Sequence, residues 1–305
     1  TDGGAWRNRT QATSWYNEAL NTATRGSRRE FPAVAVIVAE TNKVTIYDGD
    51  DPSLPMWMVF NLGGNNGFWL SSATATSCVA GSGKIVVGSI SVGFRQVDFI
   101  SEKFVRGFTS SLAGQTGGVV NRNAQLLAGA ADGPVILNGT VNDLAMTVLP
   151  DAPIDYATGL QIPTIAVATG GGVSVIKDDG TVVSPMTTST REVFFENIDL
   201  WAVVNGGYFG AQRINGPSYQ SAPASERLYS SNQGNTAYPK PLASGFLDGG
   251  VSTGDTGFAV RDTVHGLIKA HWGQRESSYP FQWAKSSIAQ ITSSYTSGWM
   301  PGDIK

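Results

Sequence analysis

Carboxylates gathered in turns are the densest chemical feature of this chain. Asp48-Gly49-Asp50-Asp51 and Asp178-Asp179-Gly180 each set acidic oxygens beside a glycine. As turn residues they cap backbone amides and tolerate unusual dihedrals. As hard oxygen ligands, Asp48, Asp50 and Asp51 could hold Ca²⁺, although the twelve-residue spacing of the familiar Ca²⁺ loop is absent. The turn reading is the expected one, with Ca²⁺ as the only cofactor in view. A glycosidase would need two carboxylates roughly 5–10 Å apart across a cleft. Asp143, Glu192, Glu196, Asp199, Glu226 and Asp262 are available for this, and nothing in the sequence pairs them.

Other motifs weaken when their chemistry is checked. Gly81-Ser82-Gly83-Lys84 invites a phosphate loop, but Cys78 stands where the motif needs glycine and Ile85 where it needs Ser or Thr. A hairpin turn explains it. Ser174 and Lys177 match the spacing of a Ser/Lys acylation pair, which requires a helix; on a strand, positions three apart face opposite ways. His265 and His271 are the only histidines. Neither a metal-ligand pattern nor a nucleophile elbow accompanies them, so both read as ordinary structural or surface residues. No catalytic residue is assigned.

Aromatic residues are plentiful, with eight Trp and nine Tyr. Trp57, Trp69 and Trp201 lie inside apolar runs and are expected in the core. Tyr219, Tyr229, Tyr238, Tyr279, Trp283 and Trp299 fall in loop-like stretches. They are the candidates for stacking on a glycan.

Composition narrows the class. Of 305 residues only 15% are charged, while Gly reaches 37, which fits a turn-dense β protein with a polar but weakly ionic surface. The net charge of −3 offers no general attraction to nucleic acid or an anionic membrane. No apolar run approaches the ~20 residues of a membrane-spanning helix, so membrane insertion is not expected. Cys78 is the sole cysteine, leaves no intrachain disulfide and reads as a small buried apolar residue. The ends, Thr1 without Met and the abrupt Lys305, suggest an internal piece truncated before further C-terminal modules.

The elements that would position these residues repeat. Pro32–Ile37 followed by Val44–Asp50 has the same form as Pro163–Ala168 followed by Val173–Gly180: an apolar run, a turn, then an alternating strand ending in an acidic turn. A recurrence of about forty residues fits four-stranded propeller blades. Candidate blades cover about 31–62, 69–109, 118–150, 163–187, a unit around 199–210, and one around 257–270. A Ser/Gly/Asn/Pro-rich connection at about 216–255 separates the last two. The expectation is an all-β protein: a β-propeller of about six blades over 31–305, with a short N-terminal lead-in over 1–30. A pair of lectin-like stacked sheets is the rival architecture. The lead-in carries Arg7, Arg9, Arg25, Arg28 and Arg29 with Trp6 and Trp15. It reads either as a segment packed on the first blade or as an arm docking another subunit through those residues.

Several stretches carry a family resemblance. They are Ala5-Trp6-Arg7, Thr13–Glu18, Thr24–Val36, Val44–Pro52, Pro55–Val59, Val173–Gly180 and the closing Ser293–Lys305. Together they resemble a family of large virion-associated proteins of tailed bacteriophages, tail-fibre or tail structural proteins often from marine hosts. The resemblance implies a non-enzymatic structural module for assembly and host attachment, on the extracellular face of the virion tail. Its partners would be other tail proteins, further copies of itself in a homo-oligomer, and a host surface glycan or receptor. The alternative is a propeller glycoside hydrolase or lyase acting on host polysaccharide.

Overall fold

A computed structural model describes residues 5–61, 74–110, 118–123, 133–196, 198–204, 211–220, 251–254, 257–262 and 266–271. Among them the chain is all-β apart from one helical turn and a half, α1 (Ala5–Thr10), and a 3-10 turn at Val119–Asn121. It divides into two units, Thr1–Ala202 with Ile214–Ala222, and Val203–Arg213 with Pro223–Lys305.

The first sheet is a meander of β1 (Ala35–Ala39), β2 (Lys43–Asp48) and β3 (Met56–Asn61). The second is a four-stranded meander of β4 (Ala75–Gly81), β5 (Lys84–Ser89), β6 (Phe94–Asp98) and β7 (Phe104–Gly107). Ser82 and Gly83, at φ of 45° and 74°, join β4 to β5. Two successive positive φ values make the tight hairpin that Gly81–Lys84 suggested. The third sheet opens with β8 (Val141–Thr147). A small hairpin, β9 (Ile154–Asp155) with β10 (Leu160–Gln161), then intervenes before β11 (Thr164–Thr169), β12 (Gly172–Ile176) and β13 (Val182–Met186) complete it. A three-stranded meander of β14 (Thr190–Glu196), β15 (Asp199–Val204) and β16 (Ala211–Ile214) follows. In the second unit, β17 (Val251–Gly254), β18 (Gly257–Asp262) and β19 (Gly266–His271) form one more meander.

The sequence units at 118–150 and 163–187 need correcting, because they are one sheet. β8 pairs with β11 from Thr147↔Thr164 to Val141↔Thr169. The β9–β10 hairpin separates the two strands in sequence and hid their pairing. β7 also escaped the sequence reading, since Phe104–Gly107 is short and carries a charge at Arg106.

Burial explains which runs became central strands. β5 (KIVVGS) and β11 (TIAVAT) are buried at every position and lie between two partners. Ile85 and Val87 of β5 enter a cluster with Val44, Ile46, Trp57, Phe60 and Phe99. Val86, between them, points the other way into a cluster with Phe94, Leu144, Ile165 and Val167. The second sheet is therefore covered on both faces, by the first sheet and by the third. Each side chain so buried contributes roughly 1.5–3 kcal/mol.

The order of packing follows the chain. β1 packs against β4, β4 against β8, and β8 against β14, and each of these is the first strand of its sheet. On β1 the alternation is plain. Ala35, Ile37 and Ala39 face the core, whereas Val36 and Val38 continue the exposed Val34 on the opposite face.

The lead-in is part of the first sheet. Arg25 bridges to Met58 of β3, with Val59 N–H donating to the Thr24 carbonyl and Gly26 N–H to the Trp57 carbonyl, both at 3.0 Å. Thr24–Gly26 thereby forms a fourth, outer rung. A Cβ on Gly26 would collide with the Met56 carbonyl, so the close approach requires glycine.

Candidate functional site

Besides the buried Lys84–Asp98 pair at 2.8 Å, polar side chains in the described residues gather in four further places, and in three of them they act as struts. The first joins the leading strands. Asp143 Oδ1 on β8 accepts the Ser77 hydroxyl of β4 at 2.8 Å, and Oδ2 accepts the Val193 amide of β14 at 3.0 Å. Alongside, Thr76 Oγ1 donates to the Val141 carbonyl at 2.7 Å and Asn142 Nδ2 to the Thr190 carbonyl at 2.6 Å. Burial pushes the Asp143 carboxyl above the ordinary range, against the opposing pull of the Val193 and Ser77 hydrogen bonds. One carboxylate thus ties three successive sheets.

The second place holds the lead-in. Arg122, almost wholly buried, donates from Nε to the Val59 carbonyl at 2.8 Å and from Nη2 to the Thr24 carbonyl at 2.7 Å. Those two residues are the paired ones of β3 and the added rung. Its Nη1 meets Glu18 Oε2 at 2.8 Å, which supplies the buried counter-charge. Arg25 lies 4.4 Å over the Trp57 ring and donates to the Trp57 carbonyl at 2.9 Å. Burial first, and then the charge of Arg122, bring its pKa down to about 10, with Glu18 acting against them. Trp15, fully buried, donates its indole N–H to the Phe99 carbonyl at 2.6 Å. Glu102 accepts from the Ser14 amide at 2.9 Å, from the Ser14 hydroxyl and from the Val119 amide.

Of the two readings of the lead-in, these positions fit the segment packed on the first sheet. Trp15 and Arg25 are spent inside their own chain. Arg29 donates to the Tyr16 carbonyl at 2.6 Å, and Arg9, exposed, reaches the Gly159 carbonyl at 3.3 Å. The side chains of Trp6 and Arg7 lie outside the described residues.

The third place is the acidic turn. Arg28 Nη1 sits 2.8 Å from Asp48 Oδ1 and 2.6 Å from Asp50 Oδ2. Asp50 also accepts the Ala33 and Val34 amides, each at 2.9 Å, and Asp51 accepts the Ser53 amide and hydroxyl. Hydrogen bonds from Ala33, and next from Arg28 and Val34, hold Asp50 below the usual carboxylate range. The cation facing these oxygens is a guanidinium. Among the described residues no group of three or more His, Cys, Asp or Glu is arranged to hold a metal ion. Asp179 is likewise a turn residue, accepting the Thr181 amide at 2.9 Å and hydroxyl at 2.6 Å.

The fourth place is different. Arg95 of β6 stands opposite Arg106 of β7 in antiparallel register. Arg95 is buried and donates to the carbonyls of Val92 at 3.1 Å and Phe94 at 3.2 Å. Arg106 lies 4.9 Å over the Phe108 ring, and its Nε is buried without a hydrogen-bond acceptor among the described residues. Burial lowers both guanidinium pKa values. That of Arg95 falls to about 9, with the neighbouring Arg106 charge as the second cause. Alternation along β6 and β7 gave no hint of this pair, because it depends on register.

Among the glycan candidates only Tyr219 lies within the described residues. It is fully buried, edge-on to Phe195 at 6.1 Å, and its hydroxyl pKa is pushed up to about 12 by burial and then by Asp178 and Asp199. Tyr229, Tyr238, Tyr279, Trp283 and Trp299 lie outside them. The sequence reading passed over Tyr156, which stands fully exposed at the tip of the β9–β10 hairpin beside exposed Ile154. Ser174 and Lys177 are occupied separately: Ser174 Oγ accepts the Leu137 amide at 3.0 Å and Lys177 meets Asp179 at 3.4 Å. His265 lies outside the described residues, and His271 closes β19. Cys78 is half-buried, and burial raises its thiol pKa.

No protein-family model matches this chain, and no curated protein matches it in sequence. Solved structures give distant likenesses. The extracellular domain of the hybrid two component system BT4673 from B. thetaiotaomicron aligns at a TM-score of 0.46 and 13% identity, covering 85% of this chain and 28% of that one. Kluyveromyces lactis Hsv2 aligns at 0.40 and 12%, covering 85% and 71%. The computationally designed Ika8 protein aligns at 0.38 and 9%, covering 81% and 72%. The chain spans less than a third of the BT4673 domain, and likenesses at this level leave its function open.

Proposed function

We propose that this chain is a propeller-type structural module of a tailed-bacteriophage virion, used in the tail or tail fibre for assembly and host attachment. The observation that carries the structural half is the succession β1, β4, β8, β14. Leading strands packed one against the next, with meanders running outward from them, are what a radial ring of blades requires. β1 itself, the first leading strand of the succession, keeps a valine face exposed at Val34, Val36 and Val38. The virion assignment rests on the sequence resemblance. The polar clusters of Asp143 and Arg122 favour a module whose charges brace packing.

In this reading the module sits on the outer face of the tail, in a homo-oligomer, with tail proteins and a host surface glycan or receptor as partners. Immunogold labelling of particles from the genome that encodes the chain tests it, together with binding of the purified chain to host cells. Label on the tail and saturable cell binding are expected. A chain that labels no tail and binds no host cell refutes the assignment. Release of reducing ends from host polysaccharide would instead establish the hydrolase or lyase alternative.

A further inference from the structure

Four Asn-Gly steps occur in the chain, and two of them, Asn138-Gly139 and Asn215-Gly216, lie within the described residues. Such a step can close on itself, because glycine leaves its nitrogen open to the asparagine side chain. The two steps differ in what holds the reacting atoms. At the first, Asn138 Oδ1 accepts the Thr140 amide at 2.8 Å, which folds the carboxamide back over the Gly139 peptide. Among the described residues no hydrogen bond occupies the Gly139 N–H or Asn138 Nδ2. Asn138, Gly139 and Thr140 are half-buried, so water reaches them. At the second step the Gly216 N–H donates to Asp199 Oδ1 at 3.0 Å, which ties up the nitrogen.

We propose that Asn138 is a site of self-modification, at which the Gly139 nitrogen closes a ring onto the side-chain amide and expels ammonia. The Gly139 nitrogen gives its proton to water as it bonds to Asn138 Cγ. The Thr140 N–H already lies on Oδ1, where negative charge develops, and stabilises the adduct. The Cγ–Nδ2 bond then breaks, and the departing nitrogen takes up a proton to leave as ammonia. Both groups sit in one turn, so the attack needs no encounter. Water opens the resulting succinimide in two ways. Cleavage between the Gly139 nitrogen and Cγ yields aspartate, and cleavage between that nitrogen and the Asn138 carbonyl carbon yields isoaspartate. One water is consumed and one ammonia released.

The place of this step gives the conversion a structural effect. The Gly93 N–H, in the turn between β5 and β6, donates to the Gly139 carbonyl at 2.9 Å. The Gly170 N–H, in the turn between β11 and β12, donates to the Thr140 carbonyl at 3.0 Å. Isoaspartate lengthens the backbone by one carbon just ahead of these carbonyls and adds a negative charge. It therefore loosens the join between the second and third sheets. This inference is independent of the virion reading.

The full chain is incubated for weeks in mildly alkaline buffer, folded and in urea. Its peptides are then mapped by mass spectrometry with fragmentation that separates aspartate from isoaspartate. In the folded chain Asn138 is expected to convert about tenfold faster than Asn215, the effect of one charge-assisted hydrogen bond on the Gly216 nitrogen. In urea the two rates should converge. An Asn138 that stays intact in the folded chain, or converts no faster than Asn215, overturns the site. The wild-type Tm should fall as isoaspartate accumulates, while Asn138→Gln, which closes its larger ring far more slowly, keeps its Tm through the same incubation. An equal fall in both, or none in either, overturns the loosening. Should Asn138→Gln fail to fold, the wild-type peptide map decides alone.

Discussion

Asp143 Oδ1 accepts the Ser77 hydroxyl at 2.8 Å, and this contact joins the leading strand of the third sheet to that of the second. The other oxygen of the same carboxylate takes the Val193 amide of the fourth sheet. Backbone ladders hold each sheet together but cannot link one sheet to the next. Apolar burial supplies the attraction between sheets, and a shared carboxylate fixes their relative register. Removing it leaves the Val193 amide and Ser77 hydroxyl without acceptors. Asp143→Ala is expected to cost about 2–3 kcal/mol in urea unfolding, and Ser77→Ala about 1 kcal/mol. The double variant should cost less than the sum. Simple additivity would show that the two residues do not act together.

The pH dependence follows from the direction of the Asp143 shift. Its native pKa lies above the ordinary 3.8, so between those two values the folded state holds more protons than the unfolded state. The contribution of this group to stability therefore falls as pH rises through that window. Measured against Asp143→Asn, which does not titrate, the wild type should gain relative stability on acidification. A loss instead would mean that the hydrogen bonds outweigh burial. Asp50, whose pKa is depressed, works in the opposite direction: its contribution is present above 3.8 and is lost as pH falls through its lower native value.

Arg122 and Glu18 secure the lead-in rung. Arg122→Ala leaves Glu18 only Arg25, at 3.7 Å, and leaves the Val59 and Thr24 carbonyls without this donor, so it is expected to destabilise by about 3 kcal/mol. A chain lacking residues 1–30 should lose the Trp15 plug and the Thr24–Gly26 rung together, and fail to fold cooperatively. Had the segment been only a docking arm, the truncated chain would unfold at the same Tm as the intact one.

The acidic turn is expected to be indifferent to Ca²⁺. Arg28 already occupies the space between Asp48 and Asp50. The Tm in excess Ca²⁺ and in chelator should agree. A chelator-sensitive Tm would return Asp48, Asp50 and Asp51 to service as metal ligands.

Legibility in the sequence tracked the range of the interaction. Local patterns came through: the apolar runs of β2, β5, β11 and β15, the Ser82-Gly83 hairpin and the capping role of the Asp turns all reflect neighbours in the chain. Long-range pairing did not. β8 was assigned to a unit of its own because the β9–β10 hairpin stands between it and its partner β11. The sequence left the lead-in arginines between packing on the first sheet and docking another subunit, and Arg25 is buried because two indole rings and a backbone carbonyl accept it. Tyr219 looked exposed in a Gly/Pro-rich stretch and is buried against Phe195. Arg122, Asp143 and the Arg95–Arg106 pair carry no local signature, since their partners lie on strands far along the chain.

The proposed succession of packed leading strands can be tested most directly by cryo-electron microscopy of the purified chain. The expected map has β1, β4, β8 and β14 side by side in that order, with Asp143 at the junction of the last three. Two flat sheets stacked face to face, with those four strands apart, would contradict it.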